Sequence, residues 1–209
     1  MSRDHPTDHR IIDELTAACT GAGAGDAEAL RTRLAIDAEH EGLLDLAYRT
    51  LDSPIGPLLV ALSPHGLVRV AFGSEGHDAV LAQLAAAISP RILGSSRRTD
   101  DVARQLDEYF TGRRRHFDVP VDLQLARGFR RAVLSHLLEI DYGATQSYAT
   151  VARAAGNRNA VRAVGSACSH NPVPVVVPCH RVVRSDGTMG GYLGGIEAKQ
   201  VLLALEASA

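Results

Sequence analysis

Long apolar runs are missing from this chain. No segment approaches the roughly 20 residues that span a bilayer, and Met1-Ser2-Arg3-Asp4-His5-Pro6 lacks the apolar core of a signal peptide. A cytoplasmic location is therefore expected, with no membrane partner. Cysteine is scarce as well: Cys19, Cys168 and Cys179 are too few and too unevenly spaced for a disulfide framework, and no two form a CxxC pair. Free thiols in a reducing compartment follow. Neither sign of charge dominates, the formal net charge being -2. What remains is 209 residues with 45% hydrophobic content and a mean hydropathy of -0.02. That composition suits a globular protein of one large or two small domains.

The near-neutral total conceals an asymmetry. Residues 1–46 carry four basic and ten acidic side chains, residues 47–124 nine of each, and residues 125–209 nine basic and five acidic. A polyanion would meet the basic end, although a surplus of this size is also common on a solvated surface.

Residues 1–46 read as an acidic N-terminal extension, partly helical or flexible. It holds a short amphipathic stretch around Ile11, Ile12 and Leu15, a flexible Gly21-Ala22-Gly23-Ala24-Gly25 segment and a helix from Asp26 to about Asp45. Asp4, His5, Asp8 and His9 could be drawn as a metal cluster, but terminal polar residues are usually solvated and no metal is expected. From Ala47 the pattern turns to strands, with Leu58–Leu62 and Leu67–Phe72 separated by Ser63-Pro64-His65-Gly66, a hairpin signal. Helices are expected at about 77–88 and 100–111. Arg113-Arg114-Arg115 then forms a solvated entry to an edge strand near Phe117–Val121. Residues 47–123 thus make a small α+β domain.

Residues 124–209 read as mainly helical. Phe129, Val133, Leu134, Leu137 and Leu138 make the apolar face of a helix ending near Ile140. Ser147 suits the N-cap of a helix Tyr148–Ala155 closed by Gly156, and a second short helix spans about Ala160–Ser169. Two short helices joined by a tight turn are the helix-turn-helix arrangement, which is also common as a purely structural pair.

Pro178-Cys179-His180-Arg181-Val182-Val183 places a sulfur, an imidazole and a guanidinium in consecutive positions behind an apolar run. A thiol is a nucleophile only as thiolate, and burial opposes that ionisation unless a base or positive charge sits nearby. His180 and Arg181 could supply both. In extended backbone neighbours face opposite ways, so His180 would reach the sulfur through a water, and a third group must orient the ring. Taken alone, the stretch is equally consistent with a buried Cys and a satisfied core His.

The flanking residues decide between these. Tyr142-Gly143-Ala144-Thr145-Gln146-Ser147-Tyr148, Ala160-Val161-Arg162-Ala163-Val164-Gly165 and Asn171-Pro172-Val173-Pro174 stand upstream. Ser185-Asp186-Gly187, Gly190-Gly191-Tyr192-Leu193-Gly194-Gly195, Lys199 and Glu206 stand downstream. In this order they resemble the O6-alkylguanine-DNA alkyltransferases, also called methylated-DNA–protein-cysteine methyltransferases. The likeness is strong over 128–206 and weaker over 47–127. It implies an α+β fold: a ribonuclease H-like N-terminal domain that does no chemistry, followed by a helical, winged-helix-like C-terminal domain with the helix-turn-helix.

The resemblance also implies the activity and its residues. The partner is double-stranded DNA containing O6-alkylguanine, with O4-alkylthymine as a further lesion. The protein acts as a monomer without cofactor and transfers the alkyl group irreversibly to its own Cys179. His180 takes the thiol proton through water, oriented by Glu206, and Asn171 ties the second helix to the active-site loop. Tyr148 crowds the 3′ phosphate and hydrogen-bonds the flipped base. Arg162 fills the space the base leaves, and small Ala163, Gly165, Ser166 and Ala167 let the helix approach the minor groove. The carbonyls of Cys179 and Val182 accept from the guanine amine, and Tyr192, Leu193 and the neighbouring glycines shape the loop over the alkyl group.

Some positions depart from the family pattern. Leu134 stands where tryptophan is common, Asp141 replaces a proline, Ser169-His170 replaces glycine and basic residues, and Leu193 replaces a small residue. The last would narrow the pocket against bulky alkyl groups. A non-catalytic lesion binder would lack Cys179, a damage-responsive regulator would bring a cysteine-rich zinc domain, and a Cys-His hydrolase would carry other signatures around its nucleophile.

Overall fold

The structure, a computed structural model, describes residues 24–208. The stretch around Ile11, Ile12 and Leu15, the group Asp4, His5, Asp8 and His9, and the start of the Gly21-to-Gly25 segment lie outside the described residues. Contacts divide the chain into two units, Met1–Leu43 and Leu44–Ala209. The first contains helix α1 (Ala24–His40). It ends five residues before the expected Asp45, because Gly42 turns the chain at φ +66 and the Leu43 N–H closes on Ala38 O.

The second unit opens with a four-stranded sheet of order β3-β2-β1-β4: β1 (Leu46–Leu51), β2 (Leu58–Ser63), β3 (Gly66–Phe72) and β4 (Ile92–Gly94). The first three form an antiparallel meander, with Leu51 opposite Leu58 and Leu58 opposite Phe72, and β4 returns parallel to β1. Strand β2 is apolar from Leu58 to Leu62 because it is covered on both faces. Leu59 and Ala61 pack with Val80 and Leu84 of α2 (His77–Ala87), whereas Leu58 and Val60 pack with Val102, Leu106 and Tyr109 of α3 (Ser96–Phe110). The three-residue β4 carries too short an apolar pattern to be read from sequence.

The expected edge strand at Phe117–Val121 is a correction. Only an isolated bridge, Leu67 with Val121, forms there, since Pro120 has no N–H to extend the ladder and offers only its carbonyl to the Leu67 N–H. The three arginines before it do lie at the surface, Arg113 and Arg115 exposed and Arg114 partly so, but each has a partner. Arg113 pairs with Asp107 and Arg114 with Glu108 and Asp118, while Arg115 lies over the Tyr142 ring at 5.8 Å.

Helix α4 (Gly128–Leu137) buries Val133, Leu134 and Leu137 completely. It stops short of Ile140, and Leu138, expected on the apolar face, is exposed although its backbone is still helical, at φ -63 and ψ -19, because one residue past Leu137 the helical phase turns its side chain off the buried face. A two-residue strand β5 (Gln146–Ser147) leads into α5 (Tyr148–Ala154), whose Thr150 N–H donates to the capping Ser147 Oγ at 3.1 Å. After Gly156 comes α6 (Val161–Ser169), then a buried loop, a 3-10 turn at Cys179–Arg181, β6 (Val182–Val183) parallel to β5, and α7 (Gly195–Ala207). One apolar cluster runs continuously from Leu58 and Tyr109 through Leu134, Val151 and Val164 to Cys179 and Leu202. Each fully buried leucine in it contributes on the order of 1.5–3 kcal/mol. Among the described residues no helix is long and apolar enough to cross a membrane.

Candidate active site

The loop from Asn171 to Pro178 sets the position of the thiol. Prolines 172, 174 and 178 fix φ at three places, and the Val177 N–H closes on Val173 O at 2.8 Å. Val175 is held at φ +73, a conformation a β-branched residue rarely adopts, at a cost of about 1–3 kcal/mol that the surrounding packing must offset. Asn171 is wholly buried inside this turn. Its Oδ1 accepts from the Val173 N–H at 3.0 Å, and its Nδ2 donates to Val177 O at 2.9 Å and to Cys179 Sγ at 3.1 Å.

Cys179 opens the 3-10 turn, so the backbone here is not extended as the sequence suggested; the Arg181 N–H closes on Pro178 O at 3.0 Å. Burial pushes the Cys179 thiol up to about 11, while the Asn171 hydrogen bond and the Lys199 charge pull it down. The cation that acts on the sulfur is thus Lys199 and not Arg181. Lys199 is fully buried on α7, donates from Nζ to Val182 O at 2.6 Å, and has its own pKa lowered by burial.

Arg181 points instead at Glu206. Its Nε donates to Oε2 and its Nη2 to Oε1, both at 2.9 Å, and its Nη1 reaches the carbonyl of Ile140. Oε1 also accepts from His180 Nε2 at 2.9 Å and the Tyr109 hydroxyl at 2.7 Å, and Oε2 from the Gly143 N–H at 3.1 Å. Burial alone would raise the Glu206 pKa, but the hydrogen bonds from His180 and Arg181 win and hold it well below the usual carboxylate range. The guanidinium offsets a carboxylate placed unfavourably at a helix C-terminus.

Burial lowers the His180 pKa more than Glu206 restores it, so the ring is neutral near pH 7. Because its Nε2 meets an ionised carboxylate, that nitrogen carries the hydrogen and Nδ1 is bare. Nδ1 is buried without a hydrogen-bond partner among the described residues. The site therefore holds a neutral base beside a thiol in the chain, with the ring's tautomer fixed from behind.

Tyr148 starts α5 half-buried, because its ring packs on the main apolar cluster. Burial first, then the neighbouring Cys168 and Cys179 sulfurs, raise its pKa, so the hydroxyl keeps its proton. A Cβ at Gly190 would collide with that hydroxyl, and one at Gly194 would sit 2.5 Å from Phe72 Cε1, so two of the loop glycines are required by close approach. Tyr192 stands edge-on to Phe72 and His180, at 5.7 and 6.4 Å between ring centres, and Leu193 packs against the same cluster. The Val182 carbonyl already accepts from Lys199, and the Cys179 carbonyl accepts the Val182 N–H.

On α6, Arg162, Ala163 and Ser166 are exposed and Gly165 is partly so, forming one outward face. Ala167 does not join them: with Val164 and Cys168 it faces the core, since positions three and four apart share a side. Sequence reasoning missed Tyr109 and the true partner of Arg181, and it counted Lys199 among the residues of the resemblance without giving it a role. Nothing in the apolar face of α3 marks Tyr109. Lys199 did carry a signal, being the only lysine in the chain and lying between apolar Ala198 and Leu202. Among the described residues no three His, Cys, Asp or Glu side chains group to hold a metal.

Residues 128–208 match the family model for the 6-O-methylguanine DNA methyltransferase DNA-binding domain, and residues 46–123 the model for the ribonuclease-like domain of the same proteins. A methylated-DNA–protein-cysteine methyltransferase of Mycobacterium tuberculosis is 40% identical over 77% of this chain and 92% of its own. One of Methanosarcina acetivorans is 36% identical over 77% and 98%. The crystal structure of the Mycobacterium tuberculosis O6-methylguanine methyltransferase superposes with a TM-score of 0.67 at 37% identity, covering 78% of this chain and 93% of that one. A structure of Mycobacterium tuberculosis OGT in complex with DNA gives 0.65 at 38%, with the same coverage. Likeness at this level, over nearly the full length of those relatives, makes the chain a member of the methylated-DNA–protein-cysteine methyltransferase family.

Proposed function

We propose that this protein removes the alkyl group from O6-alkylguanine in duplex DNA, takes it irreversibly onto Cys179, and is consumed in doing so. The observation that carries this reading is the polar surround of Cys179. A cysteine serving only as core packing has no use for an asparagine donor at 3.1 Å, a buried lysine nearby and a neighbouring imidazole whose tautomer is set by a carboxylate. Cys179 is only 2% exposed, so a base inside a duplex cannot reach it and must be extruded. The outward face of α6 suits the DNA contact, with Arg162 entering the stack and Ala163, Gly165 and Ser166 permitting close approach of the backbone.

In the transfer, the sulfur proton passes to His180 Nδ1 through a water, and Lys199 and Asn171 stabilise the resulting thiolate. The S–C bond forms as the C–O6 bond breaks, and the electron pair remains on the guanine, which takes a proton from the Tyr148 hydroxyl. The proton held on His180 returns through water to Tyr148, so both groups end as they began and the thiol proton has in net moved to the guanine. Tyr192, Leu193 and the Val182 carbonyl bound the pocket around the base and its alkyl group. A thioether has no good leaving group, which makes the reaction single-turnover. Residues 47–123 serve as the supporting domain and 124–209 as the DNA-binding and transfer domain. The protein acts in the cytoplasm as a monomer, with O4-alkylthymine as a second lesion.

The test uses duplex DNA carrying O6-methylguanine labelled in the methyl group. Label should move from DNA to protein and leave guanine behind, with none moved by Cys179→Ser. Tight lesion binding without movement of label would replace transfer by mere recognition.

A further inference from the structure

The peptide unit joining Pro172 to Val173 is held from both sides. Its carbonyl oxygen accepts from the Val70 N–H at 2.8 Å and from Arg69 Nη1 at 3.3 Å, both on β3. Its N–H, on Val173, donates to Asn171 Oδ1 at 3.0 Å, and the same amide donates from Nδ2 to Cys179 Sγ. Arg69 is itself braced. Its Nη1 also donates to Val70 O at 3.1 Å, its Nη2 pairs with Glu75, and Glu75 Oε1 accepts from the Phe72 N–H at 2.9 Å. Side-chain exposure of 12% for Arg69 and 19% for Glu75 keeps this pair largely out of water, where a charge acts over bonded neighbours with little screening.

We propose that Arg69, braced by Glu75, is a positioning residue for the transfer reaction, holding and polarising the 172–173 peptide so that the Asn171 amide presents its N–H to the Cys179 sulfur. The claim rests on the transfer function proposed above. An asparagine amide can turn over, and the turned form would aim Oδ1 at a thiolate. Pinning Oδ1 with a peptide N–H prevents this, and a cation on the carbonyl of that same peptide strengthens its N–H as a donor. The half of the chain bearing the sheet thereby reaches the nucleophile through an unbroken series of hydrogen bonds, without touching it.

The test is the rate at which the full chain takes the benzyl group from free O6-benzylguanine, followed against pH, which removes DNA binding from the measurement. The charged and titratable groups around Cys179 are Lys199 from α7, Cys168 from α6, Tyr148 from α5, Tyr192 from the following loop and His180 beside it. All are unchanged in Arg69→Met. That variant should react about three- to tenfold more slowly near pH 7, with the midpoint of its profile moved to higher pH and its affinity for undamaged duplex unaltered. Arg69→Lys should fall between, and Arg69→Met should add nothing on an Asn171→Ala background. A wild-type rate and midpoint for Arg69→Met, or the same loss with Asn171 already removed, would overturn the proposal. If Arg69→Met fails to fold, Glu75→Gln is read in its place, with the same direction expected and an unmoved midpoint refuting it. If the wild-type chain takes no benzyl group, the methyl-label assay on duplex DNA decides whether the transfer function fails or Leu193 only shuts out the larger group. Alkylation of Cys179 by iodoacetamide then still reads the thiol and decides the positioning role.

Discussion

Replacing Glu206 with glutamine keeps the shape of the side chain but removes its charge and half of its acceptor capacity. Five donors converge on the two oxygens: His180 Nε2, the Tyr109 hydroxyl, two nitrogens of Arg181 and the Gly143 N–H. A glutamine amide must turn an NH2 group toward some of them, and it leaves Arg181 buried without a counter-charge. Removing one partner of a buried ion pair costs about 3–5 kcal/mol. With a urea m-value of about 2 kcal/mol per molar, the unfolding midpoint of Glu206→Gln should fall by about 2 M, followed by far-UV circular dichroism at pH 7.5. The sign of the pH dependence follows from the depressed carboxyl pKa. A group whose folded pKa lies below its ordinary 4.5 stabilises the fold above that value and loses the contribution as pH falls below it. The gap between wild type and variant should therefore be full at neutral pH and narrow progressively below about pH 4.5. A midpoint lowered by less than about 0.3 M, or a gap constant from pH 7 to pH 3, would refute the assignment of Glu206 as the ionised anchor.

Lys199→Met removes the cation acting on the sulfur while filling the same apolar space. Single-turnover benzyl transfer should slow by about tenfold at pH 7 and recover at higher pH, as the Cys179 thiol rises further above about 11. Arg162→Ala should lose transfer from duplex DNA while keeping the wild-type rate toward free O6-benzylguanine, which separates base extrusion from chemistry. Leu193→Gly should raise the rate for a benzyl adduct relative to a methyl adduct; an unchanged ratio would show that this side chain does not limit the pocket.

The short-range features were legible in the sequence because their causes are local. Ser147 caps α5 and the Ser63-Pro64-His65-Gly66 turn joins β2 to β3, each by chemistry within a few positions. What was not legible depends on partners far away in the chain. Arg181 looked like a neighbour for Cys179 but is captured by a carboxylate 25 positions later, since two charges leaving water together are held far more tightly than a cation and a neutral thiol. Tyr109 reaches Glu206 across 97 positions and Arg69 reaches Pro172 across 103, and neither differs in pattern from an ordinary core tyrosine or strand arginine. Ala167 illustrates the same limit at shorter range. Small size suggested a surface for DNA, but helical phase turns it inward with Val164 and Cys168.

The most direct measurement is a titration of the protein with O6-methylguanine duplex, read by intact mass and then by peptide mapping. Uptake should stop at one methyl group per chain, carried on Cys179 alone, however much lesion is added. Methyl found on Cys168, a repaired-lesion count exceeding the number of protein molecules, or saturation with unmodified protein would each contradict a consumed thiolate at position 179.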